Sequence, residues 1–411
     1  MSYLVFCSYE VGGLPFRMAS ILNQNGFRTY YVSIHKNAQG HDSTAFHYKA
    51  DNADWDISWQ FADCINSNEL IVKKLARIKS EYKINGSLAT GSKSFLLHLA
   101  GIDYHYWSFG ADLDQICFYR KWPENCNFIK KIIFAVSMYG HNNRKAIQNI
   151  QSEQVVSITH SKSIMIAPYQ VDSYFKICPD KPKFFFPHYF PQTNFNDIIS
   201  QKKMSSSKIN NKLGSARFFF SSSRHFWYGK NQLYSDNKAN HIILHSFAQY
   251  LQLTADVGTK LVLIAKGPDV AATVGLAREL NLVDKIVWLE EMKRNELQEY
   301  YSAAHVVFGQ FGTPVLAFSS LEPLTAATPC ISFFWDGSEQ GVPFYKTSIP
   351  VFNTKDPVYI AQHLAYLMSD HVYYEKSCYE AWRWIQENCL EEHFSQALSA
   401  IFSAGNGFTD S

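Results

Sequence analysis

Close cysteine pairs are missing from this 411-residue chain: its eight cysteines stand singly, with no CxxC unit. That excludes a dense disulfide scaffold and a CxxC metal or redox site, and it fits a reducing, cytoplasmic compartment. Charge of one sign is missing too. With 38 Lys and Arg against 36 Asp and Glu, the formal net charge is +2, so no overall field attracts nucleic acid, which is not expected as a partner. No apolar run reaches the roughly 18 residues that span a bilayer. The apolar start Met1–Cys7 gives way at once to Ser8, Tyr9 and Glu10, too soon for a signal peptide. A soluble protein is expected, resting at most on the cytoplasmic face of a membrane. Charged residues are scarce as well, 18% of the chain, where about 25% is ordinary.

What the chain has in abundance is core-forming side chains: 31 Phe, 24 Tyr and 9 Trp within a 46% hydrophobic composition. Global disorder is thereby excluded. At about 150 residues per domain, two or three domains are expected. The first segment reads as strand Tyr3–Cys7, a turn at Val11–Pro15, helix Phe16–Gln24 capped by Gly26, and strand Thr29–Ile34. Further strands are expected at Ile84–Thr90, Tyr104–Ser108, Val155–Thr159 and Lys183–Phe186. Residues Asn196–Ser215, rich in Ser, Lys, Asn and Gln, read as an interdomain linker or exposed loop.

A second, more regular series follows: strands at 216–222, 260–265, 285–289, 306–309 and 330–334 alternate with helices at 240–253, 269–280, 294–304 and 321–327, and helices at 357–369 and 372–388 close it. The alternation predicts an α/β fold of two Rossmann-like, doubly wound parallel-sheet domains. Their expected bounds are 1–195 and 216–370, joined by the linker 196–215, with helices in 371–411 packing back on the first domain. Ligands of such sheets bind beyond the carboxyl ends of the strands, so the site is expected where the two domains face each other.

Three features of the second series could carry chemistry. After the strand at 216–222, the loop Ser221–Trp227 presents Arg224, and Lys238 stands just before the helix at 240–253. A phosphate there would meet a bidentate guanidinium, a point charge and a helix N-terminus. Solvated surface charges are the plainer alternative, and Lys230 competes for the second role. The next strand ends in Lys266-Gly267-Pro268-Asp269. Gly267 permits close backbone approach and Pro268 suits a first helical turn; without a GxGxxG or GxxxxGK[ST] pattern the segment also reads as a structural turn. After the strand at 306–309, Glu322 falls at the expected start of a helix. It is either a partner for the helix dipole or a carboxylate for a ribose diol.

Taken in order, the strand with its Arg loop, the Lys before a helix, the strand ending in K-G-P, then D-K-I-V-W-L, E-L-Q-E-Y-Y-S-A-A-H-V-V and a Glu-headed helix ending in A-A-T-P-C-I resemble the nucleotide-sugar domain of GT-B glycosyltransferases of the GT4 type. The resemblance covers about residues 217–334, and Gly12 and Gly13 are similar to that family's N-terminal glycine loop. It implies a retaining transfer of a sugar from a nucleotide-sugar donor to a hydroxyl of a glycan or lipid-linked acceptor, as in surface polysaccharide synthesis, with no metal or other cofactor. Arg224 and Lys238 would bind the donor diphosphate and Glu322 the ribose. The chain also departs from the pattern. Pro314 stands where the family has the first Glu of E-x7-E, leaving Gln310 or the backbone of Phe318–Leu321, with Ser319, Ser320 and Leu321, to meet the sugar. The family's Lys-Gly is Lys238-Ala239, and its A-x-G-x-P has become Ala326-Ala327-Thr328-Pro329.

In the first domain, residues 102–113 resemble the family segment ending in H-G-x-D-L. Phe109 takes the His position, while Gly110 and Asp112 match, so Asp112 is the candidate first-domain site residue; His105 is a second, although at its alternating strand position it reads more readily as a core histidine. His160 and His188 are further histidines at expected strand ends. Asp54-Trp55-Asp56 has DxD spacing but reads as a surface turn. Basic-aromatic stretches at 118–122, 130–134 and 144–145 read either as solvated faces or as contacts for an anionic membrane bearing a lipid-linked acceptor. Trp382-Arg383-Trp384 resembles the C-terminal helix that crosses back in such proteins. A nucleotide-sugar epimerase of the same fold and a catalytically inactive nucleotide-sugar-binding protein are the rival readings.

Overall fold

The computed structural model describes residues 2–8, 14–34, 53–108, 141–166, 170, 174, 177–181, 183–185, 190–215, 217–229, 237–314, 316–335, 345 and 347–403. The chain divides into two units, one formed by Met1–Phe186 with Phe394–Ser411 and the other by Pro187–His393.

The first unit runs β1 (Ser2–Cys7), α1 (Leu14–Gln24), β2 (Arg28–Ser33), α2 (Asn68–Glu81), β3 (Ile84–Thr90), α3 (Phe95–Leu99), β4 (Tyr104–Trp107), α4 (His141–His160), β5 (Ile164–Ile166) and β6 (Lys183–Phe185). Its six strands lie in the order β2-β1-β3-β4-β5-β6, every pairing parallel. A parallel sheet with helices on its faces buries its strands on both sides, and Leu4, Val5 and Phe6 of β1 are accordingly buried. The expected strand at Val155–Thr159 is instead the end of helix α4. Its β-branched run misled the sequence reading; tertiary contacts decide the matter. Ile158 and Ser157 are buried, Ser157 Oγ accepts from Phe95 N at 2.9 Å, and Gln154 hydrogen-bonds the Tyr106 hydroxyl. Asp54 and Asp56 lie in a turn, where Asp56 Oδ1 accepts from Ser58 N at 3.0 Å.

The second unit runs α5 (Phe195–Leu213), β7 (Phe218–Ser221), α6 (His241–Thr254), β8 (Lys260–Ile264), α7 (Val270–Glu279), β9 (Ile286–Leu289), α8 (Arg294–Ala303), β10 (Val306–Phe308), α9 (Phe318–Thr325), β11 (Cys330–Ser332), β12 (Val351–Asn353), α10 (Pro357–Ser369) and α11 (His371–Asn388). The last helix, α12 (Glu391–Ser403), carries the chain back into the first unit's residues. The sheet order is β12-β11-β10-β7-β8-β9, again all parallel. The central strand β7 is Phe218-Phe219-Phe220-Ser221, fully buried. Its alternate side chains feed two cores: Phe219 joins Phe247, Leu261 and Phe308 on one face, and Phe218 and Phe220 join Tyr300, Tyr301 and Val307 on the other.

The stretch read as a linker, Asn196–Ser215, is a helix. Asn194 caps it by accepting from Asn196 N at 2.9 Å, and Gly214 ends it at φ +60°. Ser205 and Ile209 are its buried face. Lys202 fastens it to the unit, donating to Ser302 O at 3.1 Å, Ala304 O at 3.2 Å and Thr328 Oγ1 at 2.7 Å; burial brings that ammonium down to about 8. Its polar composition is that of a helix exposing most of its circumference. The helix bearing Trp382 and Trp384 is α11, inside the second unit. Trp384 packs with Phe190 and Leu321, and Trp382 Nε1 donates to Thr193 Oγ1 at 3.1 Å.

Candidate functional site

In an open parallel sheet, the crevice where strand order reverses lies beyond the carboxyl ends of the two strands flanking the reversal. In the second unit those strands are β7 and β10. The loop after β7 carries Arg224, the loop after β10 carries Gln310, and Lys238 stands at the entry to α6. Backbone contacts tie these segments into one body: Lys238 N donates to Phe226 O at 2.7 Å and Phe311 N to Lys238 O at 3.2 Å, while Thr313 Oγ1 donates to Asn237 O at 3.1 Å. At Gly312 a Cβ would fall 2.2 Å from Asn237 O, so the close approach requires glycine there.

The loop after β7 is fixed just as tightly against the Lys266-Gly267-Pro268-Asp269 turn. Gly267 has φ +109°, and a Cβ on it would lie 2.4 Å from His225 O. His225 N donates to Lys266 O at 2.6 Å and Asp269 N to His225 O at 3.1 Å. Asp269 Oδ2 accepts from Trp227 N at 2.6 Å and Tyr228 N at 2.8 Å, and Trp227 Nε1 donates to Thr273 Oγ1 at 2.8 Å. His225 is buried between Ile264 O, 3.1 Å from Nε2, and Thr273 Oγ1, 3.0 Å from Nδ1. Nε2 is therefore the protonated nitrogen, and burial pulls the ring down to about 4, keeping it neutral. The order of residues in the sequence hid the roles of Asp269, Thr273 and His225, because each acts on a loop more than 40 residues away or on the backbone.

Within this frame the guanidinium of Arg224 is exposed and lies over the Phe226 ring at 5.2 Å. The Lys238 ammonium donates to Gln310 Oε1 at 2.7 Å. Burial first, and Arg224 second, bring it down to about 8. A neighbouring cation and burial both disfavour the protonated ammonium, and an anion beside Lys238 would favour it.

Glu322 is placed differently from expectation. Helix α9 begins at Phe318, so the carboxylate lies in its second turn and does not cap it. Arg294 Nη2 binds Glu322 Oε1 at 2.8 Å, with both side chains largely buried. Tyr301, whose hydroxyl is held well above its ordinary range by burial and by Glu322, hydrogen-bonds the same carboxylate. Ser222 Oγ lies 2.6 Å from the Tyr301 hydroxyl, so a chain of contacts links Glu322 to the loop after β7. Arg294 is 28 residues from Glu322, and nothing in the linear pattern announced the pair.

Ser320 and Leu321 turn out to be framework residues. Their amides donate to Ala317 O at 2.9 and 3.2 Å, Ser320 Oγ donates to Ser332 Oγ at 2.9 Å, and the Leu321 side chain is fully buried. They are not available to meet a sugar; Ser319 remains half-buried beside them. In the first unit, His105 lies within β4, buried, with Nδ1 2.7 Å from Ser163 Oγ. Burial brings it down to about 4, which makes it a core histidine. His160 ends a helix, its ring 4.3 Å from that of His98. Gly12, Gly13, Phe109, Gly110, Asp112, His188 and Lys230, and the basic-aromatic stretches at 118–122 and 130–134, lie outside the described residues.

The two Ala positions noted as departures adopt a backbone conformation that glycine takes more readily. Ala239, which follows Lys238, has φ +48°, and Ala327, three residues before β11 begins at Cys330, has φ +51°. Both lie in the left-handed region that favours glycine.

These units define a GT-B fold. No protein-family model matches the chain, and no curated protein matches it in sequence; the likeness is to solved structures. Anabaena HepE, described in complex with UDP-glucose, is 12% identical over 98% of this chain and 100% of its own, with a TM-score of 0.61. Sucrose-phosphate synthase from Thermosynechococcus elongatus gives 12% identity over 98% of both chains and a TM-score of 0.61. WaaG, described as a glycosyltransferase involved in lipopolysaccharide biosynthesis, gives 13% over 98% of this chain and 100% of its own, with a TM-score of 0.56. Among the described residues no helix is long and apolar enough to cross a membrane.

Proposed function

We propose that the protein is a glycosyltransferase that takes a sugar from a nucleotide-sugar donor bound at the β7/β10 switch point and passes it, with retention of configuration, to a hydroxyl of a glycan or lipid-linked acceptor. The observation that carries this reading is the pair Arg224 and Lys238, held at the strand ends by backbone contacts, with Arg224 acting on the Lys238 ammonium. Such a pair suits a diphosphate, because a guanidinium can bind two oxygens and an ammonium adds a point charge. In the transfer, the bond between the sugar's anomeric carbon and the diphosphate breaks as the acceptor oxygen attacks. The acceptor proton passes to the departing phosphate oxygen, and the negative charge that develops there is what Arg224 and Lys238 stabilise. We assign Glu322, which Arg294 and Tyr301 orient, to the donor's ribose diol, and its hold by these two residues supports that reading. Asp112 as a catalytic residue and Gly12 and Gly13 as substrate-binding residues complete the reading from the first domain's sequence. The solved structures of like fold include ones described with UDP-glucose, which supports a nucleotide-sugar donor.

The test is a thermal-shift screen across UDP-, GDP-, ADP-, CMP- and dTDP-sugars. A ligand that binds only the folded state at 100 times its Kd adds about 2.7 kcal/mol, so one class should raise Tm clearly. Incubating that donor with and without glycan acceptors then separates transfer from epimerisation. No shift with any nucleotide sugar contradicts the proposal.

A further inference from the structure

We infer that Gln310 is a positioning residue for Lys238 and not a sugar contact: its side-chain carbonyl aims the ammonium at the anion site, and because it is uncharged it does so without cancelling the cation's charge. The inference rests on the diphosphate reading of the site. Gln310 is almost fully buried and its main chain is clamped where β10 ends, its carbonyl accepting from Phe333 N at 2.9 Å and from Ser332 Oγ at 2.9 Å. The amide's orientation is set from both ends. Nε2 points to Thr313 O at 3.4 Å, and Oε1 accepts from Lys238 Nζ at 2.7 Å. A flipped amide would set an NH2 group against an ammonium. Thr313 in turn holds Asn237, the residue before Lys238.

Lys238 is thus gripped at its backbone by Phe226 and Phe311 and at its tip by Gln310. A long, flexible side chain has lost its rotamer freedom before a ligand arrives, which is how preorganisation raises affinity. Among the groups that act on the ammonium are Arg224, from the loop after β7, and Gln310, from the loop after β10. A carboxylate in place of the Gln310 amide would have nearly the same shape. It would form an ion pair with Lys238, favour its protonated form and compete with phosphate oxygens for its hydrogen bonds. Glutamine gives the orientation and leaves the charge for the ligand.

The experiment is calorimetric titration of UDP, GDP and ADP, each beside its own nucleoside, into wild type, Gln310→Glu and Gln310→Met, repeated from pH 6.5 to 9.5. For the diphosphate that binds wild type, Gln310→Glu should lose at least tenfold in affinity. Its nucleoside should bind unchanged. The pH at which diphosphate binding begins to weaken, near 8 in wild type, should move upward in Gln310→Glu and stay in place in Gln310→Met, which loses only a few-fold affinity. A merely structural role would lower Tm in both variants and leave the diphosphate-to-nucleoside ratio and the pH profile alone. Wild-type values of that ratio and profile in Gln310→Glu overturn the inference while leaving the diphosphate reading standing. Equal binding of diphosphates and nucleosides by wild type overturns both.

Discussion

In the second unit, the loop after the first strand presents Arg224 and leads to Lys238, which Gln310 meets from the loop after β10. In the first unit, the loop after the first strand opens with Ser8, whose hydroxyl donates to Thr90 O at 3.3 Å and accepts from Lys93 N at 3.1 Å. Both sheets have six parallel strands. The β7/β10 reversal point brings together Arg224 and Lys238, whereas the described residues at the β1/β3 reversal point combine the Ser8 hydroxyl and backbone groups with Lys93, whose ammonium donates to Asn68 Oδ1 at 3.1 Å, and Ser92, whose hydroxyl bonds Glu153. The difference teaches that the fold supplies a place for a ligand and that the loops decide its charge. On the proposed reading an anion belongs at β7/β10.

The comparison breaks most readily at the cations. Arg224→Ala and Lys238→Ala should each lower turnover by 10²-fold or more, the scale of losing one charge-stabilising group; steady-state rates near wild type in both would remove the asymmetry between the units. Next comes the scaffold. Gly267→Ala must place a methyl 2.4 Å from His225 O at φ +109°, and it should cost about 3 kcal/mol in denaturant unfolding while weakening diphosphate binding through the displaced Arg224 loop. Smaller effects are expected at the left-handed alanines. Ala239→Val and Ala327→Val should each destabilise by about 2 kcal/mol, whereas the glycine variants should match or exceed wild type.

Proton linkage gives a subtler check. The Lys238 pKa near 8 lies below its ordinary 10.5, so above pH 8 the free protein has lost that proton while an anion favours its return. Diphosphate affinity should therefore fall as pH rises through 8, and calorimetry at pH 8.5 in buffers of different ionisation enthalpy should show proton uptake that Lys238→Met abolishes. The least effect belongs to the first unit's buried histidine. His105→Gln should lower Tm modestly and leave turnover within about threefold; a large loss of turnover with an unchanged Tm would return His105 to the site.

The second unit was far more legible in the sequence than the first, for physical reasons. Three consecutive phenylalanines in β7 and the apolar run of β8 mark strands buried on both faces, and the helix expected at 357–369 is present, capped by Asp356 Oδ1, which accepts from Val358 N at 2.8 Å. Helix α5 was illegible because only a narrow stripe of it is buried, although Asn194 and Gly214 were there as capping signals. The end of α4 was misread because β-branched residues carry a strand preference that packing overrides. Arg224, Lys238 and the Gly267 turn could be found from local order along the chain. The pairings of Arg294 with Glu322, of Gln310 with Lys238 and of Asp269 with the Trp227 and Tyr228 amides could not, since each joins segments 28, 72 and about 42 residues apart.

The most direct test of the anion site is a calorimetric titration at pH 7 of the stabilising nucleoside diphosphate and its nucleoside into wild type and into the Arg224→Ala/Lys238→Ala double variant, with folding of both checked by circular dichroism. The account predicts a single wild-type site that prefers the diphosphate over the nucleoside by at least 100-fold, and the collapse of that preference in a folded double variant. Equal binding of diphosphate and nucleoside by wild type, or an undiminished preference in the double variant, would contradict it.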